Sequence, residues 1–192
     1  MLIIVRHGRT EANAAGLLLG RADPELDAVG RAQAAALAPV VAGASRVVCS
    51  PLRRTMATAE VLGLPLSVDE RWIELDYGQW DGRPVSEVPG AEWERWRADT
   101  GFRPPGGESL ADLGRRVRAA CDDLADEARD TDVVVVTHVS PIKAAVGWAI
   151  GVGDEVAWRL HVVPAAVARV VVRPQGPVLT SFNEVGHLPP AN

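Results

Sequence analysis

The chain has 192 residues, 47% of them hydrophobic and 23% charged, and its formal net charge is −5. That length suits one domain with a substantial core, and the composition is that of a globular protein. An acidic balance with no Lys/Arg run longer than a pair excludes the usual nucleic-acid binder, and no apolar run approaches the ~20 residues of a membrane span.

In chain order, Leu2–Val5 reads as a short buried strand, too brief for the apolar core of a signal peptide. Leu26–Val41 has helical spacing, with Val29, Ala32, Ala36 and Val40 on one face. Arg46–Cys49 reads as a second strand and Leu64–Val68 as a short further one. Residues 83–107 break the rhythm. They carry Pro84, Pro89, Pro104 and Pro105 with Trp93 and Trp96, and read as an inserted helical flap ending in a glycine turn. Leu110, Leu113, Val117, Ala120, Cys121 and Leu124 recur at helical intervals, with Ser109 placed as the N-cap. Asp132–Thr137, Ala166–Val172 and Val178–Phe182 complete the strands, and the chain is expected to fray from Pro189. Strands alternating with helices predict an α/β domain spanning 1–192, with a mostly parallel central sheet and helices on both faces. Cys49 and Cys121 have no metal-like or redox-like spacing, which fits a reducing, cytoplasmic location. Lys143 is the only lysine, so arginine supplies almost all the positive charge.

Ser50-Pro51 and Ser140-Pro141 each follow a strand. Ser suits an N-cap and Pro the first helical position, so both pairs are read as strand-to-helix turns. Ligands in open α/β sheets bind beyond the carboxyl ends of the strands. Arg6, His7, Arg53, Arg54 and His138 all fall at or near such ends. Arginines beside helix N-termini suit an anion, with phosphate the leading candidate. A histidine among them is open to three roles: nucleophile toward phosphorus, general acid, or donor to a bound oxyanion. A metal is disfavoured, because the cationic neighbours oppose it and no carboxylate cluster supports it.

The ordered segments resemble the histidine phosphatase, or phosphoglycerate mutase-like, family. Arg6-His7-Gly8 with Thr10 and Asn13 is similar to its opening pattern Arg-His-Gly-x-Thr-x-x-Asn. Gly20-Arg21-Ala22-Asp23, with Leu26, Gly30 and Gln33-Ala34, resembles the next segment. Ser50-Pro51-Leu52-Arg53-Arg54 aligns Arg54, not Arg53, with the phosphate-binding arginine. Glu74 to Gly82 resembles the segment with the acid glutamate, Gly107-Glu108-Ser109 a further element, and Val-Val-Thr-His138 the second-histidine strand. Phe182-Asn183 with His187-Leu188 resembles the ending of the α-ribazole and acid phosphatase branch. Val139-Ser140 stands where Gly-Gly is usual, as in an actinobacterial acid phosphatase variant, and Thr55 stands for the usual alanine.

The resemblance implies a phosphomonoester hydrolase with no metal or cofactor, acting on a small phosphorylated metabolite. His7 would attack phosphorus and become phosphohistidine. Arg6, Arg54 and His138 would neutralise the equatorial oxygens. Glu74 would protonate the leaving oxygen and so must carry a proton when the ester binds; Asp76 and Asp81 are the neighbours that would favour this. Gly8, Thr10, Asn13 and Arg21 form the substrate-binding set, while His161 and His187 are read as structural. Two alternatives stand beside this reading: a cofactor-dependent phosphoglycerate mutase, and a catalytically silent phosphate-binding regulatory module. A mutase needs extra basic residues around the substrate carboxylate, and the insert offers only Arg83, Arg95, Arg97 and Arg103. The physiological ester and the oligomeric state are not readable.

Overall fold

The computed structural model describes residues 1–188, so the expectation for the end beyond Pro189 lies outside the described residues. Six strands form one sheet: β1 (Leu2–Arg6), β2 (Arg46–Cys49), β3 (Leu66–Val68), β4 (Val133–Thr137), β5 (Val167–Arg173) and β6 (Gly176–Glu184). Their spatial order is β3-β2-β4-β1-β5-β6. The first four run parallel, and β5 and β6 are antiparallel additions at one side. The apolar runs match this placement, because a central parallel strand is covered on both faces and needs no polar alternation. Val133 to Thr137 is buried at every position.

Alternate residues of these strands enter two cores. Leu2, Ile4, Val48, Val133 and Val135 pack with Leu113, Val117, Ile142 and Val146. Ile3, Val5, Val47, Cys49, Val134 and Val136 pack with Leu37, Val41 and Ala59. The first core belongs to the helices α5 (Leu110–Ala125) and α7 (Val139–Ile150), the second to α2 (Ala28–Leu37) and α3 (Arg53–Glu60). A short α1 (Glu11–Ala14), the insert helix α4 (Gly90–Ala98) and the single turn α6 (Glu127–Asp130) complete the helices. Neighbouring strands β1 and β4 thus lead to helices on opposite faces. Such a divergence opens a crevice at the strands' carboxyl ends.

The Ser109 cap is as expected, with its hydroxyl accepting from the Asp112 N–H at 3.1 Å. Two local expectations are corrected. The buried face of α2 is Gly30, Ala34 and Leu37, while Val29 is 41% exposed. Gly30 lies backbone-to-backbone against the loop after β1, which turns the helix away from the apolar count. The Ser-Pro pairs do not start their helices: α3 is capped by Leu52, and α7 starts directly after His138, so Ser140 and Pro141 occupy its second and third positions. Proline is tolerated throughout a first turn, where the N–H has no partner within the helix.

Candidate active site

The sheet register brings the two histidines together. Arg6 of β1 pairs with Thr137 of β4, so the next residues, His7 and His138, stand side by side past the strand ends. Their ring centroids are 5.1 Å apart with planes at 61°. Both are buried, His7 at 2% exposure and His138 at 0%. The His7 main chain is pinned on both sides, its N–H to Thr137 O and its carbonyl to Ala165 N, each at 3.0 Å. The Gly8 N–H donates to Thr58 Oγ1 at 3.1 Å.

Hydrogen bonds fix both tautomers. His7 Nδ1 lies 2.7 Å from the Gly8 carbonyl, which can only accept, so Nδ1 carries the proton. Burial, then the charges of Arg54 and Arg6, hold the His7 imidazole well below its ordinary range. It is neutral at neutral pH and its Nε2 keeps a lone pair. His138 Nδ1 accepts from Arg54 Nε at 3.2 Å, so its Nε2 bears the hydrogen and donates to Ser50 Oγ at 2.7 Å. Burial and the neighbouring Arg54 also push the His138 ring well down. In this state His138 offers an N–H dipole rather than a charge.

Two guanidinium groups flank the pair. Arg54, in the first turn of α3, is fully buried, with Nη1 on Ala22 O at 2.7 Å and Nη2 on Gly20 O at 2.8 Å. Three of its five donors are engaged and two remain. Arg53 next to it is exposed and pairs with Glu25. Arg6 places Nη1 on Val162 O at 2.7 Å, and its buried Nε has no acceptor among the described residues. Burial lowers the Arg6 guanidinium to about 10, which leaves it cationic. A buried charged donor without a partner is costly, and an anion would satisfy it.

Glu74 is 3% exposed and sits at the start of α7. Its Oε1 accepts from Leu75 N at 2.7 Å and Ser140 N at 3.2 Å. Arg116, paired with Glu108, reaches the Glu74 carbonyl at 3.3 Å. Asp76 and Asp81 serve elsewhere. Asp76 accepts from Gly78 N, and Asp81 accepts from the N–H groups of Gly20, Arg21 and Ala22, each at 2.8 Å. Asp81 therefore shapes the loop whose carbonyls hold Arg54. Of the other expected residues, Thr10 and Asn13 form a reciprocal capping box on α1. Arg21 pairs with Glu108 at 3.6 Å. Gly8 is needed for space: a Cβ there would meet Gly30 O at 2.3 Å.

Sequence reading missed several supports of this site. Ser50 and Thr58 hold His138 and Gly8, whereas the sequence marks Ser50 only as a helix cap. Asn183 Oδ1 accepts from Val163 N at 3.0 Å, and the His187 ring meets Ala165 O at 3.0 Å. The chain's ending thus clamps the loop whose Val162 carbonyl holds Arg6, and His187 is structural there. Among the described residues no three His, Cys, Asp or Glu side chains are grouped to hold a metal ion, and no helix is long and apolar enough to cross a membrane.

Comparison with known proteins identifies the family. A bifunctional protein of Mycobacterium tuberculosis is 39% identical over 170 residues, 83% of this chain and 47% of the relative, so the chain spans about half that relative's length. A probable phosphoglycerate mutase of Yersinia enterocolitica is 32% identical, covering 97% of this chain and 94% of that one. The crystal structure of an Entamoeba histolytica phosphoserine phosphatase mutant with phosphoserine superposes with a TM-score of 0.90 at 27% identity, covering 97% of this chain and 98% of that one. The model of the histidine phosphatase superfamily (branch 1) matches residues 2–185. This chain is a member of the histidine phosphatase superfamily, branch 1.

Proposed function

We propose that the protein is a cytoplasmic phosphomonoester hydrolase that works through a phosphohistidine on His7. The observation that carries this reading is the His7 hydrogen bond to Gly8 O, which leaves a neutral ring with Nε2 bare under the influence of the Arg54 and Arg6 charges. His7 Nε2 attacks phosphorus, forming the N–P bond as the bond to the leaving oxygen breaks. Arg6 and the two free N–H donors of Arg54 take the equatorial oxygens, where charge gathers in a loose transition state, and His138 joins them by turning its Nε2–H from Ser50 Oγ to one of these oxygens. Gly8 lets the backbone approach, and Asn13 and Arg21 border the phosphate. Glu74 supplies the proton to the leaving oxygen, then takes one from the water that cleaves the phosphohistidine. The two arginines supply the cationic charge, so this reading needs no metal or cofactor.

A mutase relative of nearly equal length favours a second reading, in which the phosphoryl group returns to substrate. The insert arginines speak for hydrolysis. Arg95 and Arg97 lie over Phe102 and Trp93, and Arg103 pairs with Asp112, so each of these three has a partner within the protein. The test is free phosphate released from phenyl phosphate without 2,3-bisphosphoglycerate, with acid-labile, base-stable label on the protein. Steady release supports hydrolysis. Release only at trace level, with transfer in the bisphosphate's presence, makes it a mutase. Neither release nor label leaves the silent binding module.

A further inference from the structure

Beyond Glu74 lies a cavity of about 160 Å³ lined by Tyr77, Trp93, Trp96, Ser140, Lys143 and Trp158, among others. Its wall includes Leu75, which follows Glu74, and Val139 and Ser140, which follow His138 in α7. The Ser140 N–H holds the Glu74 carboxylate, and Lys143 follows three residues later on the same helix face, about 4.5 Å further along the axis. Aromatic faces dominate the walls. Trp93 stacks on Trp96 at 5.2 Å, and Trp158 meets Trp96 edge-on at 5.2 Å. The Tyr77 hydroxyl lies 3.4 Å from Ser140 Oγ, and burial pushes its phenol up, so it stays protonated.

The polar atoms of this wall are mostly donors without acceptors. Lys143 makes no ion pair within 4.0 Å among the described residues. Burial lowers its ammonium below the ordinary lysine range, partly offset by the charge of Glu74. The indole N–H groups of Trp96 and Trp158 are buried and have no acceptor among the described residues. Three unengaged donors around an apolar space call for an anion with an apolar body. One lysine balances a carboxylate better than a second, doubly charged phosphate. The α-ammonium of an amino acid would meet Lys143 unfavourably, and a sugar would set its hydroxyls against aromatic faces. The volume matches a benzene-sized group of about six to eight non-hydrogen atoms.

We propose that this cavity is the subsite for the alcohol part of the substrate, and that Lys143 selects phosphate esters whose small, largely apolar leaving group carries a carboxylate. The inference rests on the phosphatase reading and names the substrate class for it. The test compares kcat/KM for 3-carboxyphenyl phosphate with that for 3-carbamoylphenyl phosphate, a neutral partner of nearly the same shape, within each protein. The native chain should favour the carboxylate by about ten- to hundredfold, as for a charge-assisted hydrogen bond. Lys143→Met and Lys143→Gln should bring the ratio close to one, and Lys143→Arg should keep most of it. A ratio near one in the native chain, or one unchanged by loss of the lysine, overturns the proposal. Calorimetry with 3-carboxybenzylphosphonate and benzylphosphonate reads the subsite without turnover. If no ester is hydrolysed, the phosphatase reading fails, and this pair still decides: tighter carboxylate binding lost in Lys143→Met supports the subsite, and equal binding rejects it.

Discussion

Arg54 Nε donates to His138 Nδ1 at 3.2 Å, and this bond orders the chemistry around it. An arginine cannot accept, so His138 must present its lone pair there and its N–H to Ser50. The guanidinium and both imidazoles occupy one buried crevice. Only His7 keeps a bare nitrogen there, since its other nitrogen is tied to Gly8 O.

Replacing His7 should therefore remove the nucleophile and nothing else in that arrangement. His7→Ala is expected to lose at least about a thousandfold in kcat and to take up no acid-labile phosphate. Quenched labelling with a radioactive ester checks both. Full activity in His7→Ala would falsify the phosphohistidine mechanism.

The residues of this crevice were legible in the sequence, but the hydrogen bonds that tune them were not. Strand ends located Arg6, His7 and His138, because short apolar runs mark buried parallel strands. The resemblance separates Arg54 from Arg53, and the structure buries the first and leaves the second exposed and paired with Glu25. Strand pairing order leaves no mark in a single sequence, so the His7–His138 contact was hidden. Asp81, seven positions from Glu74, reads in the sequence as its neighbour. The fold sends it instead to the amides of Gly20, Arg21 and Ala22. The α2 face was misread for a related reason. An apolar count ignores glycine, and there a backbone contact of Gly30 decides the rotation.

The buried neutral histidines make stability pH-dependent. Both folded rings sit well below the ordinary value of about 6.5, while the unfolded chain titrates near it. As pH falls through 6.5 the unfolded state takes up protons that the folded state does not, so stability falls toward the folded values; more than about one unit above 6.5 these groups contribute almost no slope. Each fully uncompensated proton is worth about 1.4 kcal/mol per pH unit. Two histidines should together cost about 2 kcal/mol between pH 6.5 and 5.5. Urea unfolding of the native chain and of a His7→Gln/His138→Gln variant measures this, with a shallower slope expected in the variant. The acid limb of kcat/KM should correspondingly show no inflection at 6.5 from His7.

Glu74→Gln keeps the shape of the buried side chain and removes the proton donor. A loss of about 10²–10⁴ in kcat/KM, which reports only the step that releases the alcohol, is expected for alkyl phosphates, and a much smaller one for 4-nitrophenyl phosphate, whose leaving oxygen needs no proton. The contrast between the two esters is the readout. Equal losses on both would assign Glu74 a purely structural role at the start of α7.

Gly30→Ala tests how tightly α2 supports the nucleophile loop. A Cβ at Gly30 would lie 1.9 Å from the Arg9 carbonyl and 2.6 Å from its nitrogen, both backbone atoms that cannot swing aside. The helix or the 8–10 loop must shift, at a cost of about 3 kcal/mol, the upper end for an overpacked site. Lower urea midpoints together with reduced kcat are expected, because that loop also carries the Gly8 carbonyl that fixes the His7 tautomer. Native-like values in both measurements would show that the loop tolerates the displacement.

Asp81 should matter through Arg54 although it touches no reacting atom. Its carboxylate collects three backbone N–H groups of the 20–22 loop at 2.8 Å, and the Gly20 and Ala22 carbonyls of that loop accept from Arg54. Asp81→Ala leaves those N–H groups to water and frees the loop, which should cost about 2–3 kcal/mol of stability, the scale of hydrogen bonds to a charged acceptor. A loosened Arg54 should also raise the inhibition constant for inorganic phosphate and KM for every ester alike, since the phosphoryl group is common to all of them. Asp81→Asn keeps one acceptor oxygen and should fall between. Unfolding curves and phosphate inhibition of the two variants check the chain of support. Asp81→Ala with native stability and native phosphate affinity would mean that Arg54 is held by its helix alone.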